Sequence, residues 1–206
     1  MDPQRVILVY TASSVRNLDK CEINKLRGVD QRIGRLDIAA RIVQAALCTT
    51  SDAVAVTIFS APMCGYITIS PEEREWVCAS REHEIVKAIV AKLCNEIVHR
   101  SFSETIREFK SLGYTTVLLS ERGSNFVIRP HKVLYILGAE QDPPIDEISV
   151  LVDSIESIGP LSYLASHVVA FINFMYAMRK ACGGPIPAWT GCGAFRTPQP
   201  RPTRPA

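Results

Sequence analysis

Short apolar runs alternate along this chain with longer segments that are apolar on one side only. The first run, RVILVY at residues 5–10, has no polar interruption after its first residue, the pattern of a strand covered on both faces. In GRLDIAARIVQAALCTT, Leu36, Ala39, Ala40, Val43, Ala46 and Leu47 recur at helical spacing and predict a helix with one core-facing stripe. AVAVTIF (53–59) and YITI (66–69) predict two more strands. A helix start at Ser80 precedes Ile85, Ile89, Leu93 and Ile97 at every fourth position, and SETIREFKSLG predicts a further amphipathic helix stopped by Gly113. TTVLLS and KVLYILG read as buried strands, and EISVLVDSIESIG holds one more helix or strand before a last apolar helix. Strands alternating with helices predict an α/β fold, a mostly parallel sheet flanked by helices.

One segment, SPEEREWVC, admits two readings. Ser70 with Glu73 would form a capping box opening a helix, or residues 71–74 would be the turn of a hairpin. The alternation in YITIS and the short run EWVC favour the hairpin. Two stretches stand apart from the alternating pattern. Residues 11–33 form a long polar connection, a type of loop that often carries function. Residues 183–206 contain six prolines and predict a flexible, weakly basic tail that buries too little to fold alone, leaving residues 1–182 as a single domain.

Composition narrows the classes. The apolar run at 161–178 is interrupted by Ser166, His167 and Asn173 and falls short of the roughly 20 residues that a membrane span needs. The first ten residues lack the pattern of a secretory leader, so a cytoplasmic protein is expected. Seven cysteines, with no CxxC pair and no zinc-type spacing, are expected to be reduced, buried small residues, and no metal site is expected. Net charge is +2, but Arg196, Arg201 and Arg204 lie in the tail; without them the body holds 20 basic against 21 acidic residues. A polyanion would therefore have to be gripped by a local cluster, an oligomer interface or the tail.

Walker, GxGxxG, HExxH and GxSxG motifs are absent. Three segments remain. YILGAEQDPP delivers Leu137 and Gly138 from a buried strand to a polar loop; this is either a plain turn or the strand end at which open α/β sheets bind ligands. ESIGPLSYLASH places Gly159 and Pro160 just before a helix, either as an ordinary helix entry or as a loop whose free backbone groups receive a polar ligand. GRLDIAAR sets Arg35 and Asp37 at a helix start, with Asp37 four residues before Arg41. The aspartate either complements the helix dipole and pairs with Arg41, or serves as a base or acceptor beside a phosphate-binding arginine.

Taken together, GRLDIAARIVQAAL, YILG and SIGPLSYLASHVVAFINF resemble the archaeal tRNA pseudouridine-54 N1-methyltransferase family of the SPOUT superfamily, over most of residues 1–180. The resemblance implies a C-terminal deep trefoil knot, a homodimer, and S-adenosyl-L-methionine bound in the knot. It implies N1-methylation of pseudouridine in tRNA, with a related rRNA target, or an inactive knotted RNA-binding dimer, as alternatives. By position it assigns the cofactor walls to Leu137 and Gly138, to the loop of Gly159, Pro160, Leu161, Ser162, Tyr163 and Leu164, and to Val168. Arg35 and Asp37 match the family's Arg-x-Asp motif, implying target binding and either orientation or deprotonation of the pseudouridine N1–H. A dimer would bring Arg27, Arg32, Arg35 and Arg41 of two chains into one patch. The chain departs from the family pattern at Ala139-Glu140, where an Asp-His pair is usual. It departs again at Val168, in place of a cysteine, and at residues 80–83, where SREH replaces Pro-Asp-Glu-Arg.

Overall fold

The computed structural model describes residues 3–16, 18, 33–159 and 163–182. Strand β1 (Arg5–Thr11) is followed by helix α1 (Leu36–Cys48), β2 (Val54–Ser60) and β3 (Gly65–Ile69). Next come helices α2 (Arg74–Ala79) and α3 (Glu82–Asn95), the two-residue strand β4 (Val98–His99), α4 (Phe102–Ser111) and the long strand β5 (Thr115–Asn125). Strand β6 (Val133–Gly138), α5 (Ile145–Ile148), β7 (Ser154–Ser157) and α6 (Ala165–Cys182) complete the order. The expected α/β architecture is present: one sheet in the order β4-β3-β2-β1-β6-β5-β7, parallel from β2 through β7, with antiparallel β2–β3 and β3–β4 pairs at one edge.

Period-two alternation divides β1 between two cores. Ile7 and Val9 face a layer with α1, α2, α3 and α6, whereas Val6 and Leu8 face α4 and α5. Central strands covered on both faces have no side for polar residues, which is why β1 and β6 read as continuous apolar runs. Helix α4 starts at Ser101, whose hydroxyl accepts the Glu104 N–H at 3.2 Å while the Glu104 carboxylate accepts the Ser101 N–H at 2.8 Å. Beyond its end, Gly113 adopts φ +83°, a left-handed conformation that favours glycine and stops the helix.

Two expectations are corrected. SPEEREWVC is no hairpin: Ser70 and Glu73 close a capping box around a 3₁₀ turn, Pro71–Glu73, that leads into α2. The reason lies in the neighbouring helix. Val77 is fully buried in the layer that contains α1, and the Arg74 guanidinium donates to the carbonyls of Leu47, Ser51 and Asp52, covering acceptors left open where α1 ends. The sheet's actual hairpin joins β2 to β3 one element earlier, through a turn in which Cys64 has φ 48°. The second correction concerns the cysteines. Packing α2 on α1 brings Cys48 and Cys78 together in a disulfide with Cα atoms 5.6 Å apart, and Cys94 is disulfide-bonded as well, whereas Cys64 and Cys182 are free thiols.

Helix α6 is fastened to the sheet and to α1 by buried polar side chains. The Arg5 guanidinium donates to Asn173 Oδ1 at 3.0 Å and to Asp52 at 2.7 Å, and it lies 4.2 Å from the centre of the Tyr176 ring. The Asn173 amide in turn donates to the carbonyls of Ala45 and Ala46 and to the Thr49 hydroxyl, so every buried polar atom here has a partner. Among the described residues no helix is long and apolar enough to cross a membrane.

Candidate functional site

The C-terminal ends of the parallel strands converge on one cavity of about 540 Å³. This is the size range of small-molecule and cofactor sites. It opens at the carboxyl ends of β6, β5 and β7, where β5 has its successor β6 on one side and the later strand β7 on the other, a reversal of strand order that leaves a crevice there. Of the residues singled out from sequence, Leu137, Gly138, Gly159, Tyr163 and Val168 line this cavity. Leu164 does not line it and is 66% exposed; Pro160, Leu161 and Ser162 lie outside the described residues.

Gly138 is where a side chain cannot be accommodated: a Cβ there would lie 2.0 Å from the Gln141 carbonyl oxygen and 2.8 Å from its carbon. The strand therefore ends in a turn folded back on itself, with residues 139–142 along the cavity wall. At Gly159 the neighbour is softer, since a Cβ would meet the Tyr163 hydroxyl at 2.8 Å. The Ser157 hydroxyl fixes this bend by donating to the Gly159 carbonyl at 2.6 Å and accepting its N–H at 3.2 Å.

The opposite wall comes from a feature that strand periodicity does not reveal. β5 pairs with β7 twice, at Val117–Leu119 and again at Ser124–Asn125, so the segment between bulges past Glu156 and brings Ser120, Glu121 and Arg122 to the cavity. Gly123 allows the passage, because a Cβ there would lie 2.4 Å from the Glu156 backbone. Glu156 is buried and ion-paired with Arg129, and it also accepts the Val127 N–H at 3.0 Å and the Ser154 hydroxyl at 2.8 Å. Burial opposes its ionisation, but these bonds together outweigh burial and hold its carboxyl below the usual range.

Arg35 and Asp37 do not line this cavity and are linked to it through Ser13 and Glu140. The Asp37 carboxylate is 4% exposed and receives Arg35 Nε and a terminal Arg35 nitrogen, each at 2.9 Å, with an Arg41 nitrogen 3.6 Å away. The hydrogen bond from Arg35 is the main reason that its carboxyl lies below the ordinary range, against a smaller opposing effect of burial. Arg41 spans to Glu82 at 2.8 Å, and a slot of about 50 Å³ beside Asp37 is lined by Ile33, Leu36, His83 and Val86. Asp37 is thus a clamped carboxylate, and the Arg35 guanidinium, 54% exposed, is the group that it presents to solvent.

Glu140 joins the two regions. It lines the cavity and accepts from Thr11, Ala12 and Ser13 at the end of β1, and the Ser13 hydroxyl accepts the Arg35 N–H at 2.9 Å. In the sequence Glu140 stands out only as a departure from the resembled pattern; its partners lie some 129 residues away along the chain. No cluster of His, Cys, Asp or Glu among the described residues could hold a metal ion.

No protein-family model matches the sequence, and no curated protein matches it. Solved structures do. Archaeoglobus fulgidus Nep1, in a crystal structure bound to S-adenosylhomocysteine, is similar with a TM-score of 0.60 over 87% of this chain and 100% of that one, at 15% sequence identity. The SpoU methyltransferase AviRb of Streptomyces viridochromogenes is similar with a TM-score of 0.51 over 89% of this chain and 62% of that one, at 12% identity. The fold is therefore one that this chain shares with Nep1 and with the SpoU methyltransferase AviRb.

Proposed function

We propose that this protein is an S-adenosyl-L-methionine-dependent RNA methyltransferase that modifies N1 of pseudouridine in tRNA and works as a homodimer. The observation that carries the reading is the cavity at the strand ends, joined through Glu140 and Ser13 to the backbone of Arg35, whose side chain is exposed, in a fold shared with Nep1 bound to S-adenosylhomocysteine. The residues present suit the cofactor. Leu137, Val168 and Ala165 offer apolar wall, Gly138 and Gly159 allow the backbone to approach closely, and no metal is needed. When bound, S-adenosylmethionine supplies a methyl group already activated on a sulfonium, so the protein's work is alignment and exclusion of water.

Arg35 is the group that engages the RNA target, through a phosphate or a base carbonyl, and Asp37 holds its guanidinium in one orientation. Of the two roles that the Arg-x-Asp resemblance implies for Asp37, the clamp and the carboxylate's weakened basicity, its pKa lying below the ordinary range, support orientation over proton removal. The knot is part of the proposal, supported by the β5 segment that bulges closely past Glu156 of β7 and by the bend at Gly159 that follows β7. A second copy of the chain is supported by the outer face of α6, where Phe174 and Met178 are exposed one helical turn apart.

The deciding experiment is mass spectrometry of tRNA and rRNA nucleosides after incubation with the protein and isotopically labelled S-adenosylmethionine. Label in N1-methylpseudouridine from tRNA is expected; label only in rRNA moves the target, and label in neither removes the catalytic reading. Calorimetry is expected to show cofactor binding that Gly159→Trp abolishes by filling the cavity.

A further inference from the structure

The cofactor cavity and the Arg35–Asp37 pair are separate, and the reaction needs them in register. Glu140 lines the cavity and, through Ser13, is linked to the backbone of Arg35. Its Oε1 accepts the Ala12 N–H at 2.6 Å, the Thr11 hydroxyl at 2.8 Å and the Ser13 hydroxyl at 3.4 Å, while Oε2 lies 2.9 Å from the same Thr11 oxygen. All three donors are neutral, and no ion pair of Glu140 occurs among the described residues. Its carboxylate is thus committed to fixing the backbone that leaves β1.

That backbone fixes the start of α1. The Ser13 hydroxyl accepts the Arg35 N–H at 2.9 Å, the Ser60 hydroxyl donates to the Ser13 carbonyl at 2.6 Å, and Gly34, at φ +76°, packs so closely that a Cβ would lie 2.7 Å from Ser13 Oγ. On the other side, the Ala139 N–H donates to the Tyr10 carbonyl at 2.9 Å, continuing the β1–β6 ladder up to Glu140 itself. A continuous chain of short contacts therefore runs from the cavity wall through Thr11 and Ser13 to the backbone of Arg35.

We infer that Glu140 is a positioning residue that sets Arg35 relative to the cofactor cavity, and that it acts on turnover through Arg35 and not through cofactor affinity. The inference rests on the methyltransferase reading. A carboxylate gathering three neutral donors holds the turn more firmly than an amide would, because each bond is charge-assisted. Small misplacement of a target-binding group costs rate out of proportion to its effect on binding.

The test is a double-mutant cycle of Glu140→Gln and Arg35→Ala in the full chain, reading kcat for RNA methylation, cofactor Kd by calorimetry, and melting temperature. In the wild-type background E140Q is expected to lower kcat by about 10-fold or more, with cofactor Kd changed by less than about 3-fold. In the R35A background the same substitution is expected to change kcat by less than about 2-fold, because its effect passes through the removed side chain. Thr11→Val, which removes one donor at the other end of the link, is expected to reproduce the kcat loss. Equal losses in both backgrounds, or a weakening of cofactor binding that parallels the loss of kcat, overturns the inference while the methyltransferase reading stands. A wild-type protein that binds no S-adenosylmethionine and methylates no RNA overturns both.

Discussion

Arg35 meets the Asp37 carboxylate with two nitrogens, each 2.9 Å from a different oxygen, across a single intervening residue at the first turn of α1. Such a fork-to-fork pair fixes the plane of the guanidinium, which a single hydrogen bond would leave free to rotate. One partner is buried and the other half exposed. The arrangement therefore presents an oriented cation to solvent at the start of α1.

Arg35→Lys keeps the charge and loses the fork, so methylation of RNA is expected to fall by about 10-fold or more while cofactor affinity measured by calorimetry stays the same. Asp37→Asn is expected to lower kcat without shifting the pH at which activity rises, because its role is orientation. A pH–rate profile from 5 to 9 that loses its acidic limb in D37N would instead identify Asp37 as the base.

Acid should weaken the fold through two carboxyls. Hydrogen bonding by Arg35 lets Asp37 ionise at lower pH than usual, and bonds from Arg129, Val127 and Ser154 do the same for Glu156 against its burial. A carboxyl that ionises more readily folded than unfolded contributes stability in full above its unfolded value of about 4, and loses it as pH falls through the folded value. Urea unfolding is expected to show constant stability from pH 7 to about 5 and a decline below about 4, shallower in D37N.

Gly138→Ala places a methyl where the Gln141 carbonyl already sits. The turn at the cavity wall must move, at a cost of about 1–3 kcal/mol, and cofactor binding should be lost even where the variant stays folded. A folded protein with unchanged affinity would show that this turn is not part of the site.

The Cys48–Cys78 bridge closes a loop with a sequence separation of 30. In the chain-entropy account such a loop contributes about 3–4 kcal/mol. Cys78→Ser is expected to lower the unfolding free energy by up to this amount and, because the bridge lies at the far end of α1 from Arg35, to leave methylation at low temperature unchanged.

Much of the fold was legible in the sequence because burial leaves a local imprint. The run from Val6 to Val9 could only be a strand covered on both faces, and the spacing of Leu36, Ala39, Ala40, Val43, Ala46 and Leu47 could only give a helix with one buried stripe. SPEEREWVC was not decided by such a pattern, since six helical residues with one buried side chain carry too little periodicity. Packing against α1 settled it in favour of a helix. The cysteine pairing is hidden for a related reason: neither Cys48 nor Cys78 signals its partner until α2 lies on α1.

The candidate site divides in the same way. Gly138, Gly159 and the Arg35–Asp37 pair were visible because glycines at bends and charges at a helix start are matters of neighbouring residues. The β5 bulge past Glu156 and the bonds from Thr11, Ala12 and Ser13 to Glu140 were not, because they join residues that only the sheet order brings together. Sequence determined which residues leave water and where the chain turns, since both follow from side-chain chemistry over a few positions. Tertiary structure decided which strand ends are neighbours, and with that placed Glu140 between the cavity and Arg35.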